Sequence, residues 1–282
     1  MENSDKAGVD WYVDDFKVHW YERNNDWVSA ANLRIEEYRH KPVDIILKNV
    51  PEGSSISVEQ VHSEFGWGGR YSAWAEGTIL DDIFPYYFNQ GFCVNEFKWQ
   101  VVEKEEGVRD FTIGDRIADR FENWGVPLSG NTIFWEVEQT KGSDSPKAAP
   151  TWFQDKWAAS QRNGEDMEQY RQQILDHTNE VVSRYAGRNI NYKVFNEPVH
   201  GMQYRYNLPG IWDDVINTVR AADPQTELMI NDYQLVSADA AMCFVDLMKD
   251  RPDIDYIGIQ AHMEEGFMGD ITQGIHVFLN YD

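Results

Sequence analysis

The stretch NYKVFNEPVHG, residues 191–201, sets a carboxylate where a strand should stop. Tyr192, Val194 and Phe195 have the β-branched and aromatic character of a strand. Glu197 then stands between Asn196, whose amide can hydrogen-bond a ligand hydroxyl, and Pro198, which fixes the backbone. His200 and Tyr204 follow within reach. Polar residues recur at the ends of other apolar runs: Glu96 and Lys98, Asn231 and Asp232, Gln260 and His262. Trp99 and Trp135 belong to the same face. Apolar walls disfavour an ionised carboxylate and raise its pKa. An acid of that kind beside aromatic platforms suits protonation of a glycosidic oxygen. Glycoside cleavage also needs a second carboxylate across the anomeric carbon.

These residues need elements that bring them to one rim. Residues 9–60 read as strands, with Pro51 and Gly53 in a turn. From about residue 60 short apolar runs alternate with helical patterns. Strands are expected at 61–67, 91–97, 131–137, over YKVFNEP, and at 227–233 and 254–262. Helices are expected at 78–89, 114–124, 165–185, 210–222, 237–250 and near 270–279. Such alternation implies a parallel sheet covered by helices. Polar groups at the C-terminal ends of strands are what an α/β protein of the (β/α)8 TIM-barrel class presents. No glycine-rich loop follows a strand, so a nucleotide-binding sheet is disfavoured.

The chain has 282 residues, 42% of them apolar, and a net charge of −23. That charge repels phosphate backbones and anionic membranes, so neither nucleic acid nor membrane is an expected partner. A neutral ligand fits better, and 11 Trp and 14 Tyr offer faces for sugars. No run approaches a membrane span. Cys93 and Cys243 form no disulfide framework and read as two buried thiols. No metal or cofactor is suggested by any ligand cluster. The start, MENSDKAGVD, shows no signal-peptide core.

From about residue 60 onward the chain resembles the barrel of glycoside hydrolase family 10, the endo-1,4-β-xylanases, and most of all its plant and animal branch. Five motifs carry the likeness in order: VNEFKW (94–99), SGNTIFW (129–135), YKVFNEPVHG, LMINDYQL and DYIGIQAH. The resemblance implies retaining hydrolysis of internal β-1,4 bonds of xylan by an extracellular protein. It implies Glu197 as general acid/base and Asn196 as the ligand of the sugar 2-hydroxyl at the cleaved bond. It implies Asn95 and Lys98 as ligands one sugar further on the glycone side, and Trp135 as an aromatic wall. Gln260 and His262 match groups that orient the nucleophile, and Tyr233 falls on the aglycone side. Two positions depart from the family pattern: Val94 stands where Glu is usual, and Asn131 where His is usual. Both positions contact sugar in the family; Asn131 can still hydrogen-bond a hydroxyl, Val94 cannot.

The motif WYVDDFKV (11–18) resembles the last strand of the jelly-roll carbohydrate-binding modules that often precede these barrels. The expected organisation is therefore a module remnant over 1–29, a β-rich connection over 30–58 and a barrel over 59–282 with about six of eight units. The family's nucleophile follows the seventh strand, and no such motif occurs here; Glu264 and Glu265 read as solvated loop residues. The expectation is a piece of a larger xylanase-like protein with little hydrolysis of its own. The competing expectation is a non-catalytic polysaccharide-binding protein on the same barrel.

Overall fold

Six parallel strands follow one another across a single sheet in chain order. The computed structural model describes residues 66–136, 149–188, 190–201 and 203–260, together with 48–58 and scattered positions between 29 and 46. The strands are β1 (Gly68–Arg70), β2 (Gln90–Phe92), β3 (Leu128–Trp135), β4 (Ile190–Asn196), β5 (Leu228–Tyr233) and β6 (Tyr256–Gln260). Between them lie α1 (Ile79–Tyr87), α2 (Trp99–Val102), α3 (Thr112–Trp124), α4 (Thr151–Asn163), α5 (Arg171–Tyr185), α6 (Ile211–Ala222) and α7 (Ala238–Met248). A strand parallel to its predecessor needs a crossover, which the helices provide. The product is a half-barrel, the first six units of a (β/α)8 barrel.

The chain divides into two compact units, Met1–Glu59 and Gln60–Asp282. In the first, the Pro51 carbonyl accepts the Ser54 N–H at 3.2 Å, closing the expected turn around Gly53. Residues 29, 32, 33, 36 and 37 are helical, which corrects the β-rich reading of that stretch. Six of the nine residues of the run SAANLRIEE are Ala, Leu, Arg or Glu, all good helix formers. The proposed strand at 11–18 and helix near 270–279 lie outside the described residues.

In the second unit most expected elements stand within a few residues of their places, with three corrections. Gly66 and Trp67 are not strand, and β1 occupies Gly68–Arg70 instead. A β-carbon on Gly69 would lie 2.7 Å from the rings of Phe84 and Phe88, so only glycine lets α1 pack this close. The strand expected over 91–97 ends at Phe92. A β-carbon on Gly91 would lie 1.9 Å from the Phe121 ring, so the same constraint joins β2 to α3. Helix α4 was absent from the sequence reading. It starts after Pro150, ends at the left-handed Gly164, and buries Phe153, Trp157 and Ser160 on one face.

The barrel-to-helix core is largely aromatic. Phe195 of β4 stacks on Trp212 of α6 with centroids 4.3 Å apart. Burying such a ring is worth roughly 2–3 kcal/mol. Tyr204, in the loop after β4, packs against Phe134, Phe153 and Trp157. That loop is thereby anchored to α4. Cys93 is buried, but Cys243 is exposed on α7, which corrects the pairing of both thiols as buried.

Candidate active site

The C-terminal ends of β2 to β6 bring the polar residues onto one rim. Glu197 is the first residue after β4, and its φ of 53° lies in the left-handed region that non-glycine residues seldom adopt. The surrounding bonds hold it there. Its N–H donates to the Asn231 carbonyl at 2.7 Å, and its own carbonyl accepts the N–H groups of His200 and Gly201. Strain of this kind concentrates at functional sites. The Gln260 amide donates to Glu197 Oε1 at 3.1 Å. So Gln260, expected beside a nucleophile, touches the acid itself. His262 lies outside the described residues.

Asn196 is buried and its Oδ1 accepts from Asn231 Nδ2 at 3.1 Å. That bond leaves the Asn196 NH2 group as a donor. On β2 and β3, Lys98 Nζ donates to Asn95 Oδ1 at 2.9 Å and lies 4.9 Å from the centre of the Trp135 ring. Asn131 donates to the Val94 carbonyl at 3.2 Å, while its Oδ1 and the Trp135 Nε1–H are buried with no hydrogen-bond partner among the described residues. The peptide Asn131–Thr132 is cis. Tyr233 stacks on His200 at 3.6 Å. Burial, and then the charges of Glu197 and Asp232, push the Tyr233 hydroxyl pKa up.

Three carboxylates of the rim are occupied by the protein. Glu96 accepts the N–H groups of Ala73 and Asn95, one on each oxygen. Asp232, fully buried, accepts the N–H of Val199 at 2.7 Å on one oxygen, and His200 Nδ1 and the Tyr233 N–H on the other. Glu136 accepts the N–H groups of Tyr204 and Arg205 on Oε2, and Trp212 Nε1 and Arg205 Nε on Oε1. Burial pushes the Glu136 pKa up, against the pull of Arg205 and these donors. The Arg205 guanidinium in turn donates to the carbonyls of Pro198 and Gly201. Two buried acids therefore grip the loop that carries Glu197, one from β5 and one from the end of β3.

Sequence reasoning missed Glu136 and Arg205 and gave Asp232 no task. The contacts that tie Asp232 and Glu136 to the loop after β4 and to Trp212 span 32 to 76 residues of chain, so no local spacing signals them. It also placed Trp99 on the open face. The structure buries Trp99 behind the wall, its Nε1–H on Glu103 and its ring stacked on His177 at 4.7 Å. Tyr204 likewise belongs to the core. A concavity of about 490 Å³ opens at the opposite ends of the strands, among Gln90, Pro127, Ile190 and Thr226. Catalytic groups of such barrels sit at the C-terminal ends instead. Among the described residues no group of three His, Cys, Asp or Glu side chains could hold a metal ion, and no helix is long and apolar enough to cross a membrane.

Comparison with known proteins agrees with this architecture. Endo-1,4-beta-xylanase 1 of Arabidopsis thaliana is 27% identical over 222 residues, which cover 75% of this chain and 22% of that protein. The anti-sigma-I factor RsgI6 of Acetivibrio thermocellus is 24% identical, covering 88% of this chain and 32% of its own length. The chain thus spans a third or less of these two relatives. Xylanase B from Clostridium stercorarium F9 shares the fold with a TM-score of 0.63 at 20% identity, over 76% of this chain and 68% of that one. The sequence profile of glycosyl hydrolase family 10 matches residues 60–281. With most of its length under that match and the six-unit half-barrel in place, the chain belongs to glycosyl hydrolase family 10.

Proposed function

We propose that this chain carries the acid/base half of an endo-1,4-β-xylanase site that cleaves internal bonds of xylan with retention. The observation that supports it best is Glu197 itself, held at the end of β4 in a left-handed conformation with Gln260 on its carboxylate and Asn196 beside it. Glu197 protonates the leaving oxygen and later deprotonates water. Asn196 donates to the 2-hydroxyl of the sugar at the bond. Asn95, Lys98 and Asn131 bind hydroxyls on the glycone side, Trp135 walls that side, and Tyr233 faces the aglycone. Gln260 orients the Glu197 carboxylate, and His262, on the family's pattern, orients the nucleophile.

Double displacement needs a nucleophilic carboxylate as well. Glu96, Glu136 and Asp232 are buried and committed to protein N–H groups on both oxygens, which argues against each as the nucleophile. The nucleophile comes from outside the described residues, on the family's pattern from the seventh strand. We also read residues 1–29 as the end of a carbohydrate-binding module, and the protein as a secreted one. The test is reducing-end release from xylan by the full-length protein and by its Glu197→Gln variant. Activity lost in the variant is the expected result. A full-length protein that binds xylan and releases nothing would make it a binding protein and overturn the hydrolytic reading.

A further inference from the structure

We propose that Trp74 is a sugar-stacking platform that extends the glycone half of the cleft past β2 to β1. The inference rests on the xylan reading above and adds a binding position to it. Trp74 is the middle residue of a 3-10 turn, Ala73–Ala75, that follows β1. Its neighbours Tyr71 and Ala75 are fully buried, yet Trp74 is 65% exposed. The turn is firmly held. The Ala75 N–H donates to the Ser72 carbonyl at 2.8 Å, and Thr78 donates to the Ala75 carbonyl from both its N–H and its hydroxyl. A large indole is thus kept in water by a rigid backbone.

Its place on the rim follows from one carboxylate. Glu96 Oε1 accepts the Ala73 N–H at 3.1 Å, and Glu96 Oε2 accepts the Asn95 N–H at 3.0 Å. The residue before Trp74 is therefore tied to the segment that holds Asn95 and Lys98. Strand order then sets the sequence along the rim: Glu197 after β4, Trp135 at the end of β3, Asn95 and Lys98 after β2, Trp74 after β1. Each step is about 4.8 Å, the spacing of neighbouring strands, comparable to one pyranose ring. The exposed Trp67 makes the contrast, because it precedes β1 and so belongs to the other end of the sheet.

The ligand class is an uncharged β-linked sugar chain. An indole face packs against the apolar C–H face of a pyranose and needs no charge. A chain of net charge −23 would repel an acidic polymer. Val94 supplies no carboxylate where the family pattern has one, so stacking one strand further out takes over part of the grip on the glycone.

The test uses the full-length protein, its Trp74→Ala and Trp74→Phe variants, and xylo-oligosaccharides from xylobiose to xylohexaose, with affinity read by calorimetry. For the longer oligosaccharides Trp74→Ala should weaken binding about five- to tenfold, for xylobiose less than about twofold, and Trp74→Phe should recover most of the loss. An unchanged length dependence in Trp74→Ala, with wild-type binding intact, overturns the Trp74 platform alone. Failure of the wild type to bind any length overturns the xylan reading and the platform with it.

Discussion

The two halves of the rim are held by different physics. At β4 and β5 the acid loop is gripped by buried carboxylates that accept backbone N–H groups: Asp232 takes Val199 and Tyr233, Glu136 takes Tyr204 and Arg205. At β2 and β3 one buried carboxylate, Glu96, likewise accepts two backbone N–H groups, but the groups that line the rim there meet through side chains, as in Lys98 on Asn95 and Lys98 over Trp135. The second half also leaves Asn131 Oδ1 and Trp135 Nε1 buried without a hydrogen-bond partner among the described residues. An unpaired buried polar atom costs about 1–3 kcal/mol, and a ligand hydroxyl can relieve it. On the proposed reading, the half that would transfer the proton is preorganised by the protein, and the half that would bind the sugar is completed by the sugar.

The sharpest way to break that contrast is at Glu197. Glu197→Gln should lower kcat on xylan by about a hundred- to ten-thousandfold. In kcat/KM, which reports the first displacement, the loss should shrink on an aryl xyloside whose phenolate leaves without a proton. Equal losses on both substrates would make Glu197 a positioning group and not the acid.

Next in size is the grip itself. Glu136→Gln leaves Arg205 half-buried without its counter-ion and weakens the acceptor of four N–H groups. Stability in urea should fall by about 3 kcal/mol, because removing one partner of a buried pair leaves the other uncompensated. Activity of the fraction that remains folded should fall too, since Arg205 no longer holds the Pro198 and Gly201 carbonyls. A stable variant with normal activity would show that the loop needs no grip from β3.

The sugar-gripping half has a titratable backing instead. His177 is stacked behind Trp99, and burial, with some help from Arg109, depresses its pKa from 6.5 to about 3. The folded protein keeps it neutral while the unfolded chain takes up a proton below about pH 6.5. Its contribution is therefore complete above that pH and is lost as the pH falls toward 3, at about 1.4 kcal/mol per pH unit. His177→Phe should flatten this limb of the stability–pH curve. Parallel curves for the two proteins would rule His177 out as its source.

The legibility of the molecule follows the same division. Strand ends were readable because the apolar residues of β4 (Ile190, Tyr192, Val194, Phe195) and β5 (Leu228, Met229, Ile230) stop at Asn196–Glu197 and Asn231–Asp232. β1 was not, because a three-residue strand with two glycines reads as a turn until the rings of Phe84 and Phe88 are in place above it. Helix α4 was readable and was overlooked: Pro150 before it, Gly164 after it, and Phe153 and Trp157 four apart are ordinary helix signals. The tasks of Glu136 and Arg205 were out of reach, since a hydrogen bond across 69 residues leaves no local pattern.

The smallest effect tests whether the sugar really completes the β2–β3 half. Lys98 is buried, and among its contacts its ammonium donates to the Asn95 amide oxygen and lies over the Trp135 ring. Lys98→Met keeps the aliphatic stem and removes the charge. It takes away one donor to the sugar and a cation over the ring, an interaction worth about 0.5–1 kcal/mol. KM for xylo-oligosaccharides should rise about fivefold, with kcat moving less, because the contact is made equally in ground and transition states. Were kcat to fall while KM held, Lys98 would be acting through Trp135 on the reacting bond. The two halves of the rim would then work as one device.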